Sequence, residues 1–407
     1  MEPKNAIYAQ SGGVTAVINA SACGVIQTAR KHPEHINKVY AAKNGIIGAL
    51  EGKLIDTSLE SDENIASLMH TPSGAFGSCR HKLKDSSDEF EQLIDVFKAH
   101  NIGYFFYNGG GDSQDTANKV AEMSRKLGYP ITCIGIPKTV DNDLPYTDCS
   151  PGFGSVAKYV AISTMEAGFD VASMAATSTK VFILEVMGRH AGWIAAASGL
   201  AAKNVNEPPH IILFPEVVFN QNQFLRRVKQ CVASEDYCVV VASEGIRNTA
   251  GQFLSQAGTI DAFGHTQLGG VAPVLAQLIK QELNLKYHWA VADYLQRSAR
   301  HIASAVDVEQ SYALGEAAVN LAVSGHNAIM PIIIRKQDAP YRWEIGHVPL
   351  KDVANQEKKL PADFIREDGM GITDACRRYL TPLIQGEAYP PYIDGLPNYV
   401  RLNNQLI

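Results

Sequence analysis

The chain has 407 residues, 46% of them hydrophobic and 19% charged, so it is long enough for two domains and too apolar for wholesale disorder. Its 36 Lys and Arg residues against 42 Asp and Glu leave a net charge of −6, which predicts no nucleic-acid partner. The sequence contains no run of 18 apolar residues, no apolar leader and no C-x-x-C pair among its seven cysteines, so we predict a cytoplasmic protein with reduced thiols and no membrane partner.

Short apolar runs bounded by Gly and Pro alternate with segments of helical period along the chain. This alternation is typical of α/β proteins with mostly parallel sheets. The predicted strands are Ala6–Gln10, Val39–Ala42, Tyr104–Tyr107, Thr132–Ile136, Val181–Val186, Ile211–Phe214, Cys238–Ala242 and Ile329–Ile334.

Two of these strands run into glycine loops that precede helical patterns. Ser11-Gly12-Gly13 follows the first strand, and Gly109-Gly110-Gly111-Asp112-Ser113 follows the third. Glycine lets backbone N–H groups approach a phosphate, and a helix N-terminus adds partial positive charge. Ordinary tight turns are the alternative interpretation, and neither loop has the P-loop or dinucleotide-binding pattern.

A polar loop follows the strand that ends at Pro137. If the loop is extended, Thr139, Asp141 and Asp143 project to one side and Lys138 to the other. Two neighbouring carboxylates can divide proton abstraction from metal or hydrogen-bond support, because each perturbs the ionisation of the other. A solvated turn is the alternative.

Seven ordered motifs carry a resemblance to the phosphofructokinase family over most of the chain. They are Ser11-Gly12-Gly13, Gly77-Ser78-Cys79-Arg80, Gly109-Gly110-Gly111-Asp112-Ser113, Pro137-Lys138-Thr139-Val140-Asp141-Asn142-Asp143, Met187-Gly188-Arg189, Ser243-Glu244-Gly245 and Tyr294-Leu295-Gln296-Arg297. The resemblance implies two three-layer α/β domains with mostly parallel sheets facing a central cleft. Residues 1–147 with about 295–323 would bind the phosphoryl donor, and residues 148–294 with about 324–407 would bind fructose 6-phosphate.

The implied reaction is reversible phosphoryl transfer to the 1-hydroxyl of fructose 6-phosphate, a step of glycolysis and gluconeogenesis. The resemblance makes Asp141 the general base. It assigns the sugar phosphate to Thr139, Asp141, Asp143, Met187, Gly188, Arg189, Glu244, Tyr294 and Arg297. It assigns the donor to Gly12, Arg80, Gly111, Asp112 and Lys138.

Asp112 and Lys138 resemble the pyrophosphate-dependent branch of the family, because ATP-using relatives carry glycine at both positions. A carboxylate at Asp112 would take the place of the α-phosphate of ATP with like charge, and Lys138 would stabilise the transition state. Asp141, Lys138 and Asp112 are therefore the predicted catalytic residues. The alternatives are an ATP-dependent enzyme, a non-catalytic regulatory subunit of the same fold, and a nucleotide-cofactor kinase with a similar glycine loop, which the sugar-phosphate motifs disfavour.

Two departures from the family pattern affect the predicted sites. Gly111 stands where relatives have the aspartate associated with Mg²⁺, so Asp112, or alternatively Asp141, is the candidate to hold this cofactor through water. His265–Gly270 resembles a sugar-binding segment but has Leu268 where the arginine is expected, so we assign the sugar phosphate to Arg297. The resemblance also implies a homodimer or homotetramer, and the tail after Lys336 is predicted to cover the fold, with little recognisable chemistry.

Overall fold

A computed structural model describes residues 2–83, 87–254, 256–260, 266–268 and 270–407. The strands of this part are β1 (Lys4–Gln10), β2 (Ile36–Ala42), β3 (Leu54–Asp56), β4 (Ile102–Gly109), β5 (Thr132–Pro137), β6 (Val181–Val186), β7 (Ile211–Leu213), β8 (Cys238–Ser243), β9 (Gln256–Ile260), β10 (Thr266–Leu268), β11 (Tyr287–Val291), β12 (Ile329–Asp338), β13 (Tyr341–Pro349), β14 (Tyr392–Ile393) and β15 (Leu396–Pro397). The α-helices are α1 (Ile18–Ala29), α2 (Ile46–Leu50), α3 (Asp62–Ser67), α4 (Ser87–Ala99), α5 (Gly111–Lys126), α6 (Phe153–Met174), α7 (Trp193–Ser198), α8 (Gln221–Glu235), α9 (Val271–Leu283), α10 (Asp293–Ser298), α11 (Ala305–Val323), α12 (Leu350–Val353) and α13 (Asp374–Leu380).

Two large sheets organise the described residues. The seven-stranded sheet has the order β13-β12-β5-β4-β1-β2-β3, and its two edge strands are the antiparallel ones. The four-stranded sheet has the order β11-β6-β8-β7 and is parallel throughout. All eight predicted strands are present, and the α/β class with mostly parallel sheets is confirmed.

Both faces of each sheet are covered by helices, as a parallel sheet requires. Successive strand residues enter opposite cores: Ile7 and Phe105 pack with α4 and α5, whereas Tyr8 and Phe106 pack with α1 and α11. In the smaller sheet, Leu184 packs on the side of α6 and α7, and Ile183 packs on the side of α8 and α9. Each sheet is therefore the middle of three layers.

Helix α11 returns along the chain to lie against α1. The hydroxyls of Ser21 and Ser311 are 2.8 Å apart at this contact. A Cβ atom on either Gly24 or Gly315 would collide with the backbone of the opposite helix, so only glycine permits this close approach.

The β12–β13 hairpin joins the two halves of the fold. Ile329 pairs with Ile134 of β5, so the hairpin extends the larger sheet although the predicted division assigns it to the second domain. Ile332 enters the core of the larger sheet, and the adjacent Ile333 enters that of the smaller sheet. The division into two domains remains our proposal, with this hairpin shared between them.

Among the described residues, no helix has both the length and the apolarity needed to cross a membrane. All seven cysteines are free thiols, and Cys79 alone among them is not buried.

Candidate active site

The two glycine loops meet at the carboxyl ends of β1 and β4. The chain proceeds from β1 to β2 on one side and returns to β4 on the other, which makes this point a topological switch, where ligands bind in open α/β sheets. The Ser11 N–H donates to Asn108 O at 2.9 Å, and the Lys138 N–H donates to Gly109 O at 3.1 Å. The loop after β5 therefore completes the same crevice.

Three cationic side chains converge on the first glycine loop. The Lys138 ammonium donates to Gly13 O at 2.6 Å. A Cβ atom built on Gly13 would lie 2.7 Å from Arg297 Nη1 and 3.5 Å from Arg80 Nη2. Two guanidinium groups and an ammonium beside a glycine loop form a site suited to a polyanion such as pyrophosphate.

This clustering changes the ionisation of Lys138. Burial, followed by the positive charges of Arg297 and Arg80, lowers the pKa of the Lys138 ammonium to about 7, while Asp141 and Asp143 oppose the change. An anion bound between these groups would favour the charged ammonium. Lys138 is thus poised to gain charge when the donor binds.

Asp112 lies in the first turn of α5, where the helix dipole favours negative charge. The ammonium of Lys82 lies 3.1 Å from Asp112 Oδ1 and 3.9 Å from Asp115 Oδ2. The sequence analysis missed Lys82, although its place two residues after Arg80 could have suggested it. The charge that Asp112 presents to a donor is therefore partly compensated.

The loop after β5 forms a turn, so the prediction of an extended loop is wrong. The Asp141 N–H donates to Thr139 Oγ1 at 3.1 Å, and Asn142 has a left-handed backbone with φ +53°. Threonine and asparagine favour such local turns over continued extension. The turn still keeps Asp141 and Asp143 within electrostatic reach of each other, and of Lys138.

The carboxyl group of Asp141 is a strong candidate for a proton acceptor. Burial raises its pKa, and the negative charges of Asp143 and Glu244 raise it further, against the opposing effect of Lys138 and Arg189. A carboxylate whose pKa lies above the ordinary range is a better base near neutral pH. The role of Asp141 as the general base stays a prediction.

The smaller sheet contributes three motifs from three adjacent strands. Met187-Gly188-Arg189 follows β6, Glu244 follows β8, and α10 follows β11. Ser243 Oγ donates to Gly188 O at 2.5 Å, and the Met187 N–H donates to Gln296 Oε1 at 3.3 Å. The buried Gln296, which the sequence analysis did not single out, thereby links the first motif to the third.

Arg189 and Glu244 influence each other electrostatically within this group. Burial raises the pKa of Glu244, and the positive charge of Arg189 opposes that rise. Arg189 Nε is enclosed without a hydrogen-bond partner in the described part of the chain. An enclosed, unsatisfied donor beside a carboxylate suits a ligand with both anionic and hydroxyl groups.

Arg297 extends from α10 across the ring of Tyr294, with its Cζ 3.9 Å from the ring centroid. Its proximity to Gly13 brings the guanidinium to the border between the predicted sugar and donor sites. Of the competing segment, His265 and Gly269 lie outside the described residues, and Thr266–Leu268 form β10 against β9.

A magnesium site requires few protein ligands here. In the described part of the chain, no group of three or more His, Cys, Asp or Glu side chains could hold a metal ion. A Cβ atom on Gly111 would meet nothing within 4 Å, so the start of α5 is open beside Asp112. Mg²⁺ keeps several waters and needs only one or two carboxylates besides phosphate oxygens, so Asp112 fits this cofactor.

The chain is similar to known proteins over nearly its whole length. The phosphofructokinase family model matches residues 5–322. The chain is 64% identical to a pyrophosphate–fructose 6-phosphate 1-phosphotransferase of Methylococcus capsulatus over 407 residues, which cover 99% of this chain and 97% of that protein. It is also similar to the crystal structure of a pyrophosphate-dependent phosphofructokinase from Marinobacter aquaeolei, with a TM-score of 0.92, 65% identity and coverage of 99% of this chain and 97% of that one. A pyrophosphate-dependent phosphofructokinase structure from Nitrosospira multiformis gives a TM-score of 0.93, 62% identity and coverage of 100% and 98%. The chain therefore belongs to the phosphofructokinase family.

Proposed function

We propose that this protein transfers a phosphoryl group reversibly between pyrophosphate and the 1-hydroxyl of fructose 6-phosphate. The observation that carries the proposal is the convergence of Arg80, Lys138 and Arg297 on Gly13, within electrostatic reach of Asp141. The names of its full-length relatives support the same reaction.

The donor site uses the first glycine loop, Gly12 included, and the start of α5 with Gly111 and Asp112. Arg80 and Lys138 bind the pyrophosphate oxygens, and Lys138 stabilises the charge of the phosphoryl group in transfer. Because phosphoryl transfer depends chiefly on alignment and electrostatic stabilisation, these groups supply most of what the reaction needs.

Asp141 accepts the proton from the 1-hydroxyl as that oxygen attacks, and returns it in the reverse direction. Thr139 and Asp143 hold the loop and the sugar. The remaining contacts to the sugar phosphate are Met187, Gly188, Arg189, Glu244, Tyr294 and Arg297.

Mg²⁺ is the proposed cofactor, and Asp112 is the residue that would hold it. The ion would supply positive charge to the transferring phosphoryl group. Asp112 therefore has two functions, because the same carboxylate opposes the α-phosphate of a nucleotide. We also propose a cytoplasmic homodimer or homotetramer that acts on small-molecule substrates, as predicted from the sequence.

The direct test supplies fructose 6-phosphate and Mg²⁺ with either pyrophosphate or ATP, and measures fructose 1,6-bisphosphate. We expect product with pyrophosphate and little with ATP. Equal use of ATP would favour an ATP-dependent enzyme. Product with neither donor, from protein that is folded by thermal melting, would favour the non-catalytic subunit.

A further inference from the structure

Residues that follow the part of the chain matched by the family model contact the loop that contains Asp141. The match ends at residue 322, and we call residues 323–407 the C-terminal extension. From this extension, the Lys358 ammonium donates to Asn142 Oδ1 at 3.3 Å, Thr147 O at 3.0 Å and Asp148 O at 3.0 Å. A lysine ammonium has three donors, and all three are used on one loop.

The backbone of the same residue is also engaged. The Lys358 N–H donates to Asp143 O at 2.6 Å, and Lys358 O accepts from Trp193 Nε1 at 3.1 Å. Two residues further on, the Leu360 N–H donates to Glu216 Oε1 at 3.2 Å. The segment is thus fixed to the smaller-sheet half while its side chain holds the loop.

A second group from the extension binds the same loop. The Tyr379 hydroxyl accepts from Asn142 Nδ2 at 3.1 Å and donates to Asp148 O at 2.5 Å. Arg335 Nε donates to both carboxylate oxygens of Asp148, at 2.9 and 3.0 Å. Three side chains that the family match does not include therefore converge on the turn beside the base.

Asn142 is the link between these contacts and catalysis. It directly follows Asp141, has the left-handed φ of +53°, and accepts the Ser150 N–H at 3.0 Å through its side chain. Asparagine tolerates this conformation, so the turn itself is not strained. Its orientation is set by the side-chain amide, whose Oδ1 accepts from Lys358 and whose Nδ2 donates to Tyr379.

From this geometry we infer that Lys358 is a positioning residue for the reaction, holding the turn at Asn142 so that the carboxylate of Asp141 faces the sugar hydroxyl. The inference rests on the proposed function for its catalytic meaning. The positioning itself is a property of the loop and is measurable without substrate.

The test is the Lys358→Met variant, which keeps much of the side-chain length and removes the charge and three donors. We expect kcat to fall about 10- to 100-fold, the range for a small misplacement of reacting groups, with the KM for pyrophosphate changed less than threefold. We also expect faster hydrogen exchange at the amides of residues 142–150. Lys351→Met, which alters an exposed lysine of the same extension, is the matched control and should match the wild type.

Tyr379→Phe gives an independent measurement should Lys358→Met fail to fold. It removes only the hydroxyl, and we expect a several-fold lower kcat with faster loop exchange. Wild-type kcat with wild-type loop exchange in either folded variant would overturn the inference. An inactive wild type would instead refute the proposed function, and loop exchange would still decide whether Lys358 holds the turn.

Discussion

Replacement of Asp112 tests how the protein distinguishes pyrophosphate from ATP. Two unit charges about 4 Å apart interact by about 4 kcal/mol at an effective dielectric near 20, and by about 1 kcal/mol in bulk water. The side chain of Asp112 is 39% exposed, so the repulsion of an α-phosphate lies between these limits. Asp112→Gly should therefore tighten ATP binding by about 5- to 1000-fold.

Lys82 modifies this expectation, because its ammonium lies 3.1 Å from the Asp112 carboxylate and attracts the same phosphate. Lys82→Met should consequently weaken ATP binding, in the direction opposite to Asp112→Gly. Asp112→Asn, which keeps the size and removes the charge, separates the two causes. If Asp112→Asn tightens ATP binding as much as Asp112→Gly does, the charge of Asp112 is the main obstacle to ATP. If only Asp112→Gly tightens it, the size of the side chain is the main obstacle.

The assay is calorimetric binding of an ATP analogue that cannot transfer its terminal phosphoryl group, at fixed Mg²⁺. Binding of fructose 6-phosphate is measured in parallel to confirm that each variant is folded, because loss of the proposed Mg²⁺ ligand should itself lower turnover with pyrophosphate. Unchanged analogue binding in both Asp112 variants would refute the account of donor choice. So would a wild type that binds the analogue as tightly as it binds pyrophosphate.

Three further predictions concern the base and the cations. Asp141→Asn should lower kcat by about 10² to 10⁴ with an unchanged melting temperature, and near-normal turnover would exclude Asp141 as the base. Because the pKa of Asp141 is raised, the wild-type kcat should fall with decreasing pH above the ordinary carboxyl range, and this acidic limb should be absent from Asp141→Asn. Arg297→Ala should weaken the binding of both substrates by about 1.5 to 3 kcal/mol, because Arg297 belongs to α10 and its guanidinium lies beside Gly13. If only the KM for fructose 6-phosphate rises, Arg297 serves the sugar site alone. The pKa of Lys138 is about 7, so at pH 8 its side chain is mostly neutral and the binding of pyrophosphate should be accompanied by the uptake of a proton. Calorimetry in buffers of different ionisation enthalpy measures this uptake. It should be smaller for Lys138→Arg.

The strands and glycine loops could be predicted because their signals are local. Apolar runs such as Val181–Val186 and Cys238–Ser243 are buried in parallel sheets and differ sharply from the polar turns that follow them. The helical period after the second glycine loop predicted helix α5, and Gly128, with φ +73°, lies just beyond its end. Strands β3 and β11 were not predicted. Strand β3 has only three residues, and β11 is not fully buried, so neither contrasts clearly with its neighbours in the sequence.

The residues of the candidate site also differ in whether a local sequence pattern predicts them. Motifs at strand ends, such as Lys138 to Asp143, were recognisable because residue type and position agreed. Lys82 and Lys358 were not, since their importance lies in partners 30 and more than 200 residues away. The tail after Lys336 was predicted to have little recognisable chemistry, because the partners of Lys358 and Tyr379 are distant along the chain and leave no pattern in the tail itself.

The close contact of α1 with α11 determines how the protein can come apart. Ser311 and Gly315 are nearly 300 residues from Ser21 and Gly24, so a chain cut between the two sheets leaves the first without one of its covering helices. Ala318 and Val319 of α11 would no longer shield Tyr8 and Phe106 from water. We therefore expect the larger-sheet half to depend on the rest of the chain, and calorimetric unfolding to show a single transition in which the donor site and the sugar site are lost together.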